Sequence, residues 1–125
     1  MAQEINSFRS LKAWQRSIQF VKLIHEISRS FPKDEMFCLT SQIRRAALSV
    51  PSNISEGYGR HSNNEFIHYL SIANGSRCEV ETQAQIAFEL GYINNATNQT
   101  VIQLSEEIGR LIAGLQRYIE QNKNK

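Results

Sequence analysis

Apolar residues along this chain recur at spacings of three and four, the period of one helix face, and nowhere alternate as a half-buried strand would. Leu11, Trp14, Ile18 and Val21 mark a first face, and Phe31-Pro32 stops the run because proline pushes its predecessor out of the helical region. A second run holds Leu39, Ile43, Ala46, Ala47, Val50 and Ile54, with Pro51 in its middle. The N–H missing opposite the Ala47 carbonyl predicts a kink or brief restart there, and Ser49, Ser52 and Asn53 are at hand for the freed groups. Gly57 and Gly59 read as the exit. The third run opens on Ser62-Asn63-Asn64-Glu65, a capping-box pattern, and carries Phe66, Leu70, Ala73, Val80, Ala84 and Ala87 before Gly91 ends it. After the polar turn Asn94–Thr97, Val101, Leu104, Ile108, Leu111, Leu115 and Tyr118 form a heptad-like seam, and Gln121–Lys125 reads as a frayed tail.

Four such helices, at about 10–30, 39–58, 63–90 and 98–120, predict an all-α, antiparallel up-down-up-down four-helix bundle. The chain reads as a single domain over residues 1–125, long enough for one buried core.

The first three helices carry more apolar surface than one bundle face needs. Phe20, Leu23, Ile24 and Ile27 gather roughly opposite Trp14, and Leu48 sits among Ser41, Ser52 and Ser55, which allow close approach of another helix. Ile72, Ile86 and Leu90 lie off the main stripe of the third helix. Large exposed apolar patches are rare on monomers, so these faces predict a homo-oligomer with Phe20, Ile24, Ile27 and Leu48 at the interface. Long helices that drift and bury both faces in a twisted bundle are the alternative.

Composition adds little. With 6 Gly and 2 Pro the chain is not linker-rich, and its net charge of +2 is too small to name a partner by itself. The charge is uneven, however: residues 1–62 hold 9 Lys/Arg against 5 Asp/Glu, and residues 63–125 hold 5 against 7. Cys38 and Cys78 stand apart, flanked by apolar or small residues, and read as buried thiols of a reducing compartment. The N-terminus MAQEINSF has no export pattern and no apolar run approaches a membrane span, which predicts a cytoplasmic protein.

The segments LKAWQRSI (11–18), LTSQIRRAALSVPSNISEGYGR (39–60), EFIHYLSIANGS (65–76) and EVETQAQIAFELGYI (79–93) together resemble the bacterial four-helix-bundle proteins named for 23S rRNA intervening sequences, also called S23 proteins. The pattern SQIRRAA…S-x-PSNI-x-EG-x-GR is the most specific part. The resemblance implies an up-down-up-down bundle assembled as a ring-shaped pentamer. It extends to the accessory variability protein of diversity-generating retroelements, a pentameric barrel that binds nucleic acid and a reverse transcriptase. Family members often have a basic residue where this chain has Asn74, and an apolar one where it has Arg77. Arg77 falls inside the apolar stripe of the third helix, so it must snorkel, pair with Glu81 or Glu56, or face another subunit.

RNA is one candidate partner. Lys12 and Arg16 on the first helix, Arg44 and Arg45 on the second, and Arg60 at its exit are the candidate phosphate contacts, because a guanidinium can bond two oxygens at once. A protein-protein interaction scaffold without nucleic-acid binding is the alternative, since surplus apolar faces support it equally. No catalytic residue, cofactor or metal site is expected. Glu65-x-x-His68 has the spacing of a di-iron ligand pair but lacks the second copy such a site needs. Ser, His and Asp are not grouped as a triad, and Gly57-Tyr58-Gly59 follows a helix rather than a strand. His25 reads as a core or interface residue and His61 as a solvated loop residue.

Overall fold

A computed structural model describes residues 7–122. Among them the chain forms four helices, α1 (Lys12–Ser28), α2 (Leu39–Gly59), α3 (Asn63–Glu89) and α4 (Asn95–Asn122), with short 3-10 turns at Phe8–Ser10 and Lys33–Glu35 and no strand. Each helix packs against its two neighbours in the order α1-α2-α3-α4-α1, while the diagonal pairs stay apart. This is the antiparallel up-down bundle that the periodicity predicts. No helix is long and apolar enough to cross a membrane among the described residues.

The helix ends follow local chemistry. Ser62 caps α3 by accepting from the Glu65 N–H at 3.3 Å, while the Glu65 carboxylate turns toward Arg60, 3.7 Å from its Nε. The C-terminus of α3 closes with Gly91 in the left-handed region (φ 81): Gly91 N donates to Phe88 O at 3.0 Å and Tyr92 N to Ala87 O at 2.8 Å, a complete Schellman motif. The expected exit of α2 differs. Neither Gly57 nor Gly59 takes a positive φ; the left-handed residue is His61 (φ 57). Gly57 is instead a close-packing site, because a β-carbon there would meet Tyr69 Cβ at 2.7 Å and Phe66 Cδ1 at 3.1 Å. Pro51 causes no restart. The helix runs unbroken from Leu39 to Gly59 with the Pro51 ring buried, and Asn53 Nδ2 braces the turn by donating to the Ser49 carbonyl and Oγ, each at 2.8 Å. Gln121 and Asn122, expected to fray, belong to α4, and the rest of that tail lies outside the described residues.

The core seams run through residues that an apolar count skips. On α1 the buried line is Ala13, Ser17, Phe20, Ile24 and Ser28, and Trp14, Ile18 and Val21 flank it half-buried. Phe20 and Ile24, expected at a subunit interface, are therefore corrected to core positions: both are completely buried within the chain, and Ile27 is half-buried against the same core. On α4 the buried line is Asn98, Val101, Ser105, Ile108, Ile112 and Ile119, one position round from the leucines of the expected seam; Leu104, Leu111 and Leu115 are half-buried and Tyr118 is 52% exposed. Small polar groups fit these seams because they find partners. Ser17 Oγ donates to Trp14 O at 2.8 Å, Ser49 and Ser76 share a hydrogen bond of 2.8 Å between α2 and α3, and Ser105 Oγ donates to Glu81 at 2.6 Å.

Arg77 takes the second of its expected options. It is held between α3 and α4, donating from Nη1 to Glu81 at 2.8 Å and Ser105 at 3.1 Å, and from Nε to Asn74 at 3.0 Å. Both cysteines, read as buried, are exposed: Cys38 precedes α2 in the loop, and Cys78 lies outside the buried stripe of α3. Val80 turns inward while Cys78 does not because helix residues step round by about 100°, and Cys38 lies in a loop whose apolar residue Phe37 is itself exposed. His25 is likewise on the solvent side of α1.

Candidate nucleic-acid interface

The antiparallel topology brings the start of α1, the end of α2, the start of α3 and the end of α4 to one end of the bundle. Of the five predicted phosphate contacts, Lys12, Arg16 and Arg60 come from elements that meet here. Phe8, just before α1, packs edge-on against Tyr58 at the end of α2, with ring centroids 6.4 Å apart. Arg44 and Arg45 lie farther along α2. Arg44 bonds Ser28 Oγ at the end of α1 with 2.8 Å, which ties it toward the opposite end, and Arg45 is exposed on the outer side. The five residues thus do not form one patch.

The arginines at the shared end are engaged by carboxylates. Arg16 Nε lies 2.7 Å from Glu107 of α4, and its Nη1 donates to Gln19 at 3.0 Å. Arg60 donates from Nη2 to Tyr69 Oη at 2.6 Å, sits 5.1 Å above that ring, and lies 3.2 Å from Glu56. The hydrogen bond to Tyr69, with the two nearby carboxylates, raises the Arg60 pKa above its ordinary value, so the group stays cationic. All of these side chains are one-third or more exposed, so the pairs are weak and an incoming phosphate can compete for the guanidinium. Lys12 is exposed and makes no ion pair among the described residues.

What the sequence reading missed is the ring system beside these cations. Phe8 contacts Trp14 at 5.3 Å and Tyr58 at 6.4 Å, and Tyr58 in turn contacts Phe66 at 6.0 Å and His61 at 6.5 Å. The Arg9 guanidinium lies over the Phe8 ring at 4.7 Å, adding a cation outside the predicted set. Interleaving was the available signal: Phe8-Arg9 in one segment and Tyr58-Gly59-Arg60-His61 in another place aromatic and basic residues side by side. Only Leu48 of the predicted interface residues presents a free surface, 56% exposed on the outer side of α2. Among the described residues no group of three His, Cys, Asp or Glu side chains could hold a metal ion.

Comparison with known proteins supplies the lineage. No curated protein matches the chain. A crystal structure of a protein of unknown function from the S23 ribosomal protein family of Bacteroides thetaiotaomicron VPI-5482 has the same fold, with a TM-score of 0.77 and 24% identity, over 83% of this chain and 97% of that one. Residues 9–114, from before α1 into α4, match the 23S rRNA-intervening sequence protein family. The chain belongs to the 23S rRNA-intervening sequence protein family.

Proposed function

We propose that this chain is a non-enzymatic, self-associating helical bundle that binds RNA at the end where α1 begins and α2 ends. The observation that supports this is the ring cluster of Phe8, Trp14, Tyr58 and His61 with Arg9 over Phe8, on elements that also carry Lys12, Arg16 and Arg60. Cations take phosphates, and aromatic faces take unpaired bases of any identity. The family's name points toward rRNA as well. With a net charge of only +2, the attraction is local to this end rather than a property of the whole surface.

The test is fluorescence anisotropy of a labelled single-stranded RNA at a series of salt concentrations. Each phosphate contact on a single strand contributes roughly −0.7 to the slope of log affinity against log salt. Lys12→Ala and Arg9→Ala are each expected to weaken binding and flatten the slope by about that amount. Binding that is absent, or indifferent to salt, would exclude the RNA reading.

A second reading, an interaction scaffold that binds no nucleic acid, is favoured by the exposed apolar side chains of the outer α2 and α3 surfaces. Leu48 projects from α2, and Ile72, Ile86 and Leu90 fall within about 40° of one another on α3. A second copy of the chain is the natural cover, with five copies the number that the family resemblance implies. Sedimentation of the wild type as an oligomer, and of Leu48→Glu as a monomer, is the expected result; a monomeric wild type at micromolar concentration rejects self-association.

A further inference from the structure

Beside the ring system, about 350 Å³ of space opens between the last turn of α2, the first turn of α3 and the last turns of α4. We propose that this cavity receives one unpaired nucleobase of a bound RNA strand; the inference rests on the RNA reading above and deepens it to single-stranded RNA.

The lining is suited to a flat, polar-edged ring. Tyr58, His61, Phe66 and Tyr118 border the cavity, and Tyr58 is held in edge contact with Phe66, so ring faces and edges are in place before any ligand arrives. Tyr118, beside the buried Ile119, is 52% exposed and lines the cavity, so its ring is accessible to an incoming base. Asn63 and Asn122 add amide groups to the same lining. A primary amide both donates and accepts, as the edge of every base requires, whereas an aliphatic side chain would gain nothing from it. The volume lies at the small end of the roughly 300–1,000 Å³ of ligand sites, consistent with one ring system.

The backbone at the cavity is also unusual. His61 is the only non-glycine residue with a positive φ (57) among the described residues, a conformation that side chains rarely adopt and that tends to persist where a site needs it. It turns the chain sharply between α2 and α3, and the imidazole, exposed on one side, lines the space. Cations continue the path outward: Tyr58 touches Phe8, and Arg9 lies over Phe8. A strand could thus place a base in the cavity and its phosphates over Arg9 and Lys12. Bases already paired in a duplex cannot enter, so the cavity would select single strands.

Two measurements separate this inference from the RNA reading itself. The first compares wild type with Tyr118→Ala and Tyr118→Phe by anisotropy, on a single-stranded RNA and on a fully paired hairpin. Loss of one base–ring stack is expected to lower single-strand affinity about 5- to 150-fold in Tyr118→Ala, with Tyr118→Phe near wild type and hairpin binding unchanged. Equal effects on both RNAs, or none on either, would overturn the proposal. The second titrates adenosine monophosphate alone into the full chain and follows the aromatic NMR signals. Shifts confined to Tyr58, His61, Phe66 and Tyr118 are expected. If the wild type binds no RNA yet these shifts appear, the RNA reading falls and the cavity is reassigned to a free nucleotide, which overturns the proposal; if RNA binds and the shifts are absent, the cavity falls alone. A change of sedimenting mass in Tyr118→Ala without any nucleotide effect would assign the space to a contact between copies and reject the proposal.

Discussion

The guanidinium of Arg77 occupies the space directly over Gly109, so closely that a β-carbon on Gly109 would lie 2.8 Å from Cζ and 3.0 Å from Nε. The glycine on α4 and the arginine on α3 therefore function as a pair, one providing the room in which the other bridges Glu81 and Ser105.

Their coupling can be measured by a double-mutant cycle. In an Arg77→Met background, Gly109→Ala should stabilise the fold by about 1 kcal/mol, the ordinary gain in helix propensity. With Arg77 present the same change must displace the guanidinium, and the gain should vanish or reverse. Urea denaturation of the four proteins should return a coupling of about 1 kcal/mol or more, and additive effects would show that the two residues do not interact.

Gly57 makes the opposite trade without a flexible neighbour. Alanine there would place its methyl 2.7 Å from Tyr69 Cβ, a backbone-anchored atom that cannot swing aside. Gly57→Ala should therefore destabilise by about 1–3 kcal/mol despite its better propensity, with α2 and α3 forced apart. Gly59→Ala, which meets nothing within 4 Å, is the internal control and should be neutral or stabilising.

At the other end of the bundle the Tyr92 hydroxyl donates to Glu35 Oε2 at 2.7 Å, joining the α3–α4 turn to the α1–α2 loop. The hydrogen bond to the carboxylate favours the neutral phenol and raises the Tyr92 pKa above its ordinary 10.0. A folded-state pKa above the unfolded one gives a contribution present in full below about pH 10 and lost as the pH climbs through the raised value. In an absorbance titration at 295 nm, the difference between wild type and Tyr92→Phe should report a phenol that ionises late. Glu35→Gln should bring that step back toward the ordinary tyrosine range.

The fold was legible where strong local signals coincide: the Ser62 cap and the Gly91 terminus stand where α3 begins and ends, whereas α1 already stops at Ser28, ahead of Pro32. The facing of the helices was harder to read. Leucines drew the α4 seam to Leu104 and Leu111, whereas the buried line runs through Asn98 and Ser105, whose side chains donate to Gln85 and Glu81 across the interface. The same bias turned Phe20 and Ile24 outward, because Ser17 and Ser28 did not count as core on α1. A hydrophobicity pattern cannot see a partner on another helix. The candidate site shows this too: Lys12, Arg16 and Arg60 were identifiable as cations, but the cluster of Phe8, Trp14 and Tyr58 exists only once α1 and α2 are folded against each other.

Helices zipped by leucine alone can slide along one another by a heptad, about 10 Å, and still find apolar neighbours. Here they cannot. A slip of α4 by seven residues would set Ile102 or Gln116 where Gly109 now admits the Arg77 head, and would carry Ser105 away from Glu81. A slip of α2 would part Ser49 from Ser76. These few polar marks work like the graduations of a vernier: they add little to cohesion but leave only one vertical alignment of the helices in which every mark reads true.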